Sequence, residues 1–262
     1  MTVQAYRPEP LLTCANIRVR FGGIVALDGV SLEVPRGQIV GIIGPNGAGK
    51  TTLFNVISRL YSVESGEITF DQKPLLGMPR HRIADVGIAR TFQNVALFES
   101  LTVRENALVG THCRCEAGFF NDALRMAKSR KNSDAAAQRV DELIDALGLE
   151  RDANRMVRDL PFGTRKRVEL ARALASEPKL LMLDEPAGGL NHGDVDELRE
   201  MVAALRDTFD VTVLLVEHHM HFVMKLCDYV VALDFGRKIA QGTPAEIQRD
   251  PEVIRAYLGG SA

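Results

Sequence analysis

A glycine-rich segment that directly follows an apolar run constrains the fold of this chain more than any other feature. Residues 44–51 read Gly-Pro-Asn-Gly-Ala-Gly-Lys-Thr and fit the pattern G-x-x-x-x-G-K-[ST] without a mismatch, after the apolar residues 38–43. Glycine has no Cβ, so such a loop can turn its backbone N–H groups inward around phosphate oxygens. The apolar residues in 53–57 predict a following helix, whose partly positive N-terminal end attracts the same phosphates. The sequence therefore predicts a strand, loop and helix that bind a nucleoside triphosphate.

Two side chains of this loop have predicted roles in binding ATP and Mg²⁺. Lys50 should reach the β- and γ-phosphates, and the hydroxyl of Thr51 should complete the coordination shell of Mg²⁺. The alternative, a glycine-rich turn without a ligand, is disfavoured by the apolar strand before the loop and the apolar helix after it. The candidate nucleotide-binding residues of the loop are Gly44, Pro45, Asn46, Gly47, Ala48, Gly49, Lys50, Thr51 and Thr52.

Length and charge exclude several classes of protein. A chain of 262 residues suits one large α/β domain or two small ones. The net charge of −2 gives no electrostatic reason to expect a nucleic-acid partner or binding to an anionic membrane. The apolar runs are of strand length, far below the roughly 18 to 20 residues of a membrane span. The first residues lack the charged stretch and apolar core of a secretion signal, so we expect a cytosolic location.

The apolar patterns predict two kinds of sheet. Residues 11–21 alternate between apolar and polar side chains, and residues 31–34 and 66–70 are similar, which predicts a small antiparallel sheet early in the chain. Nearly continuous apolar runs instead indicate parallel strands covered on both faces by helices. These runs are residues 38–43, 180–183, 211–216 and 229–233.

The middle of the chain has a different character from both ends. Residues 101–164 lack strand-like runs, and the spacing of Val140, Leu143 and Leu147 is helical. We expect a helical subdomain inserted into one α/β domain, whose core and β subdomain comprise approximately residues 11–100 and 165–245. Residues 246–262 should form a C-terminal helical tail.

Two carboxylates follow the apolar run at residues 180–183. Asp184 would end this buried strand at the sheet edge, where its oxygens suit a contact to Mg²⁺, directly or through water. Glu185 should point in another direction and polarise the water that attacks the γ-phosphate. The alternative of two solvated acids at a strand end is disfavoured by the phosphate loop upstream.

Cysteine and histidine residues permit two metal hypotheses. Cys113 and Cys115 follow His112, but the chain has no second cysteine pair at zinc spacing, so we expect reduced thiols. His218 and His221 are three residues apart and would share a helix face. However, His218 follows an apolar strand in the way Asp184 does, which favours a contact to the γ-phosphate, with His219 and His221 as ordinary helix residues.

In their order and spacing, these motifs resemble the ATP-binding subunits of ABC transporters over nearly the whole chain. Phe21 stands where that family has an aromatic residue that stacks on adenine. Gln93 stands where the family has a glutamine that contacts Mg²⁺ and the attacking water. Residues 187–191 fit the family's D-loop, and His218 fits the histidine that contacts the γ-phosphate. The resemblance implies an α/β P-loop NTPase fold with a mainly parallel core sheet, an N-terminal antiparallel β subdomain and an inserted helical subdomain.

The family's signature motif is altered in this chain. Relatives usually have L-S-G-G-Q before a helix, whereas residues 160–164 here read Leu-Pro-Phe-Gly-Thr before a helix predicted from Arg165 onward. Pro161 removes a hydroxyl and an N–H group, so it cannot make the serine contact to a partner's γ-phosphate. The helix N-terminus with Leu160, the amides of Gly163 and Thr164, and the Thr164 hydroxyl remain as anion-binding groups. We predict a weakened or asymmetric signature contact.

The resemblance also implies partners. In this family the signature of a second ATPase covers the other side of the phosphates. Residues 21–28, 51–58, 87–94 and 250–259 resemble one subunit of importers for branched-chain amino acids and of related systems for urea, amides or aromatic acids. Such systems pair two different ATPases with two transmembrane permeases and a periplasmic or extracellular solute-binding protein. This implies a peripheral position at the cytoplasmic face of the membrane and a heterodimer, with a homodimer as the alternative.

Three other functions remain open at this stage. A soluble ABC ATPase acting on ribosomes or DNA would commonly carry paired cassettes or long coiled insertions. A transporter ATPase for another cargo, such as a lipopolysaccharide exporter, would look broadly similar. A catalytically silent partner would not need the base that Glu185 supplies.

Overall fold

The computed structural model describes residues 9–91, 96–114 and 126–258, and the strands in these ranges form two sheets. The strands are β1 (Pro10–Phe21), β2 (Ile24–Pro35), β3 (Ile39–Ile43), β4 (Ser65–Phe70), β5 (Lys73–Pro74), β6 (Ile88–Arg90), β7 (Leu180–Asp184), β8 (Thr212–Val216), β9 (Tyr229–Asp234) and β10 (Arg237–Gly242). The helices are α1 (Lys50–Ile57), α2 (Val103–Gly110), α3 (Met126–Ala146), α4 (Phe162–Leu174), α5 (His192–Phe209), α6 (Met220–Leu226), α7 (Pro244–Ile247) and α8 (Pro251–Leu258).

The N-terminal sheet is antiparallel, as the alternating pattern predicts. Its strand order is β2-β1-β4-β5, with β1 paired to both β2 and β4. Strand β2 is longer than predicted, because it begins at Ile24 directly after a turn at Gly22, where φ is 56°. The hairpin therefore extends pairing well beyond residues 31–34 and places Phe21 at the tip of the sheet.

The core sheet has the order β10-β9-β3-β8-β7-β6. Strands β3, β6, β7, β8 and β9 are parallel, and β10 is antiparallel to β9. Every residue of β3, β7 and β8 is buried, which agrees with the continuous apolar runs. Because parallel strands end at the same edge, this order brings the segments after β3, β7 and β8 together.

Helices pack against the core sheet. The apolar face of α3 is buried as its spacing predicts, and Val140 and Leu143 are fully inaccessible to solvent. Helix α4 begins at Phe162, so the prediction that it begins at Arg165 is wrong by three residues. The physical reason is that Pro161, with its fixed φ of −57°, itself takes the N-cap position. Helices α7 and α8 are the last elements of the described residues, and the C-terminal tail at residues 246–262 stays a prediction.

No helix within the described residues is both long enough and apolar enough to cross a bilayer. Helices α2 and α3 lie within residues 101–164, and α4 begins there and continues beyond residue 164. The boundaries of the helical subdomain stay a prediction.

Candidate nucleotide-binding site

The loop between β3 and α1 requires glycine at two positions. Gly44 has φ of 153°, and a Cβ there would lie 2.2 Å from the carbonyl oxygen of Leu233. Gly49, the N-cap of α1, has φ of 97°, and a Cβ there would lie 2.7 Å from the carbonyl oxygen of Ala26. No side chain caps α1, so the first N–H groups of this helix are not bonded to a capping residue. The loop thus has the backbone of a phosphate cradle.

Lys50 is held against this loop by backbone oxygens. Its Nζ atom donates to the carbonyl oxygens of Gly44 at 2.7 Å and Pro45 at 2.9 Å, and the side chain is buried. Burial lowers the pKa of Lys50, and the negative charge of Glu185 partly offsets this effect. Phosphate oxygens carry full negative charge and are stronger acceptors than carbonyls, so a nucleotide can displace these two partners.

Glu185 and the loop line one cavity of about 390 Å³. Residues 46–52 form one wall, residues 24–26 another, and Phe235 lies at the exposed margin. This arrangement brings the predicted base to the predicted phosphate cradle. Phe21 is not one of the described residues that line this cavity. Its ring packs edge-on against Tyr61, with centroids 5.0 Å apart. The contact of Phe21 with adenine therefore remains a prediction, and Phe235 is an aromatic residue that sequence analysis missed.

Asp184 ends β7 and forms an ion pair that the sequence did not predict. Its Oδ2 atom lies 2.7 Å from Nη2 of Arg90, and both side chains are nearly inaccessible. Glu185 has a left-handed backbone with φ of 47°, which is uncommon for a residue with a Cβ. Its carboxylate lies 3.7 Å from Nδ1 of His218. The structure therefore brings Asp184, Glu185 and His218 to one edge of the core sheet.

Glu217 is a buried residue beside the site for which sequence analysis predicted no role. It is fully buried, and its carboxylate accepts the backbone N–H groups of Ala187 at 2.8 Å, His218 at 2.9 Å and His219 at 3.1 Å. It thereby ties the segment after β7 to the segment after β8. Its position in the sequence could have indicated this. Glu217 directly follows the last residue of β8, and Asp184 is the last residue of β7, so both lie at the same edge of the sheet.

Of the two histidines predicted to be helix residues, His221 lies within a helix and His219 lies at its start. Helix α6 begins at Met220, so His218 lies before it and His219 is its N-cap, whereas His221 is within it. The physical reason is that Glu217 binds the N–H groups of His218 and His219 and holds them in an irregular turn. His218 and His221 therefore do not share a helix face, and the metal hypothesis for this pair is not supported.

The altered signature lies in a separate groove. Leu160 is buried, and Gly163 and Thr164 lie in the first turn of α4, which no side chain caps. Gly163 and Thr164 line a groove of about 190 Å³ with Leu190, and none of these residues lines the cavity of the phosphate loop. Within one chain, the signature therefore does not reach the phosphate loop.

Phe162 joins the signature to the segment after Glu185. Its ring packs on Gly189, where a Cβ would lie 3.1 Å from Cε1 of Phe162. The ammonium of Lys166 lies 5.5 Å from the centroid of the same ring. The aromatic residue at this signature position thus contacts the predicted D-loop of the same chain.

Some predicted positions lie outside the described residues. Gln93 is one of them, although its neighbours Arg90 and Thr91 are described, and Cys115 is another. The described cysteines Cys14 and Cys227 are buried free thiols, and burial raises the pKa of Cys14 to about 12.

Comparisons with known proteins agree with this geometry. A model of the family described as "ABC transporter" matches residues 27–188, and one described as "Branched-chain amino acid ATP-binding cassette transporter" matches residues 237–262. The chain is 43% identical over 251 residues to the high-affinity branched-chain amino acid transport ATP-binding protein LivG of Salmonella typhimurium, covering 96% of this chain and 98% of the relative. It is 41% identical to BraF of Pseudomonas aeruginosa with the same coverage.

A more distant relative and a solved structure support the same family. The lipopolysaccharide export system ATP-binding protein LptB of Escherichia coli is 33% identical, over 95% of this chain and 97% of the relative. The crystal structure of the ADP conformation of MJ1267, an ATP-binding cassette of an ABC transporter, has a TM-score of 0.82 and 31% identity. The match covers 95% of this chain and 99% of that one. The chain belongs to the family of ABC transporter ATP-binding cassettes.

Proposed function

We propose that this chain is the ATP-hydrolysing subunit of a membrane importer for branched-chain amino acids or related small polar solutes such as amides, urea or aromatic acids. The observation that carries the ATPase activity is the single cavity shared by the phosphate loop and Glu185. The cargo class rests on the likeness to LivG and BraF and on the family match at residues 237–262.

The chemistry follows from residues that fit ATP and Mg²⁺. The glycine cradle, which a Cβ at Gly44 would fill, and the cation of Lys50 suit phosphate oxygens. The Thr51 hydroxyl and the Asp184 carboxylate are hard oxygen ligands of the kind that Mg²⁺ binds. When bound, Mg²⁺ neutralises charge on the phosphates and helps to orient them for transfer.

The attack on the γ-phosphate is assigned to a water that Glu185 orients. Its carboxylate lines the cavity and would accept the proton that this water loses. His218 lies 3.7 Å from Glu185 and would orient that carboxylate relative to the γ-phosphate by contacting both groups. Gln93 is proposed to contact Mg²⁺ and the same water.

The site needs donors on more than one side of the transferring group. Because the signature groove is separate from the loop cavity, a second cassette would supply the missing side, with Leu160, Gly163 and Thr164 of this chain serving the second nucleotide. We propose a heterodimer with a different ATPase, bound to transmembrane permeases at the cytoplasmic face of the membrane. A solute-binding protein outside the membrane would deliver the cargo, and no nucleic acid is involved.

Two measurements test this proposal. Glu185→Gln should abolish ATP hydrolysis by the assembled complex while ATP binding persists, whereas the matched control Glu67→Gln, at an exposed position on β4, should hydrolyse ATP like the parent. Membranes carrying the complex should take up radiolabelled leucine, and the parent chain should co-purify with a permease pair and a second cassette. Hydrolysis that persists in Glu185→Gln would overturn the assigned base. Co-purification with a lipopolysaccharide export machinery would overturn the importer assignment.

A further inference from the structure

The ion pair between Arg90 and Asp184 carries an inference beyond the family's motifs. Nη2 of Arg90 lies 2.7 Å from Oδ2 of Asp184, and the side chains are 9% and 6% exposed. Burying two opposite charges is costly, and such pairs need good geometry and additional hydrogen bonds. One oxygen of the carboxylate that is assigned to Mg²⁺ is therefore bound by an arginine.

The other side of the Arg90 guanidinium is bound to helix α1. Its Nη1 atom donates to Oδ1 of Asn55 at 2.8 Å and to Oγ of Ser58 at 3.1 Å. Its central carbon lies 5.6 Å from the ring centroid of Phe54 on the same helix. Helix α1 begins at Lys50, in the phosphate loop. Arg90 therefore connects the carboxylate of β7 to the helix that carries the nucleotide cradle.

The two oxygens of Asp184 are in different environments. Oδ2 accepts from Arg90, whereas no residue within the described ranges donates a hydrogen bond to Oδ1. The guanidinium binds Asp184 through Nη2 alone and helix α1 through Nη1, so Oδ2 is held at a set position relative to α1. Oδ1 is thus the oxygen left to contact the metal or one of its waters.

We propose that Arg90 is a positioning residue for the magnesium site: by binding Oδ2 of Asp184 and the end of helix α1, it fixes Oδ1 relative to the phosphate loop. This inference rests on the proposed function, because it assumes that ATP binds with Mg²⁺ in that loop. Residues that orient a metal ligand typically change metal affinity about 10- to 100-fold when they are replaced.

The experiment compares nucleotide affinity with and without the metal. The dissociation constant of the non-hydrolysable analogue AMP-PNP is measured by calorimetry on the full chain, in EDTA and in Mg²⁺. The ratio of the dissociation constant in EDTA to that in Mg²⁺ measures how much the metal strengthens binding. Arg90→Gln should lower this ratio about tenfold and leave the constant in EDTA within about threefold of the parent. A tenfold loss corresponds to about 1.4 kcal/mol of metal-dependent binding energy. Arg90→Lys should behave similarly, because one ammonium cannot bind both Asp184 and α1 as the two NH₂ groups of the guanidinium do.

Two further variants keep the inference falsifiable. Asn55→Ala leaves the ion pair intact but releases its anchor on α1, and should lower the ratio by about threefold even if Arg90→Gln does not fold. Arg199→Gln, which removes an arginine paired with Asp196 and Glu200 on α5, should leave the ratio unchanged.

The outcomes separate this inference from the proposed function. If Arg90→Gln or Asn55→Ala lowers the melting temperature but leaves the ratio unchanged, the ion pair is structural and the inference is overturned. Equal weakening in EDTA and in Mg²⁺ overturns it as well. A parent chain that binds the analogue in neither buffer overturns the proposed function, and this inference falls with it.

Discussion

Replacing Glu217 with glutamine tests how the functional edge of the core sheet is held together. Oε1 of Glu217 accepts the N–H of Ala187, and Oε2 accepts those of His218 and His219. A glutamine amide has nearly the same shape but only one acceptor oxygen. In either orientation, its NH₂ group therefore faces a backbone N–H donor. The substitution removes at least one hydrogen bond and leaves a buried donor unsatisfied.

The magnitude follows from the charge and burial of this group. A hydrogen bond to a charged acceptor contributes about 1.5 to 3 kcal/mol, and a buried donor without a partner costs about 1 to 3 kcal/mol. The orientation that keeps both histidine N–H groups bonded loses only the contact with Ala187, at 2.8 Å. We therefore expect the free energy of unfolding to fall by about 3 kcal/mol in Glu217→Gln. For a chain of this size, the melting temperature should fall by about 6 to 12 °C.

Urea denaturation followed by circular dichroism measures this loss. The control Glu67→Gln changes an exposed acid, and its free energy of unfolding should stay within about 0.5 kcal/mol of the parent. If Glu217→Gln loses less than about 1 kcal/mol, the three hydrogen bonds do not hold the two segments together, and the reasoning is refuted.

The remaining predictions concern the cradle, the signature and a buried thiol. Gly49→Ala should destabilise the chain by about 1 to 3 kcal/mol and abolish AMP-PNP binding in calorimetry, since φ there is 97° and a Cβ would meet Ala26; unchanged affinity would contradict the cradle geometry. Pro161→Ser combined with Thr164→Gln should raise ATP hydrolysis by the assembled complex, and an unchanged rate would remove the argument for a weakened signature. Cys14 has a pKa raised from 9.0 to about 12, so the free energy of unfolding should fall as pH rises above about 9, where only the unfolded thiol ionises. Cys14→Ala should remove that part of the pH dependence in urea titrations.

Local patterns predicted the structure where one short segment determines its own conformation. The phosphate loop was predictable because its glycines are needed for positive φ and close approach, as Gly44 and Gly49 show. The buried strands were predictable because both faces of β7 and β8 are covered, which produces continuous apolar runs. The position of Glu185 followed from the same strand.

Local patterns failed at the first residues of two helices. His219 was predicted to be an ordinary helix residue, but Glu217 accepts the N–H groups of His218 and His219, and α6 begins only at Met220. The start of α4 was placed too late because Pro161, with φ of −57°, occupies the N-cap position and the helix begins at Phe162. In both cases the residue just before the helix decides where it begins, and apolar spacing does not report on that residue.

The edge of the core sheet shows why Arg90 could not be found from the motifs. Strand order across this region is β6-β7-β8-β3, which differs from chain order. The pairing of β6 with β7 places their ends side by side, so that Arg90 reaches Asp184 across 94 residues of sequence. If β6 paired elsewhere, the glycine loop, the acid pair and the histidine would keep their spacing in the sequence, but Asp184 would lose its anchor. The motifs therefore specify which groups perform the chemistry, whereas the strand order specifies which groups hold them in place.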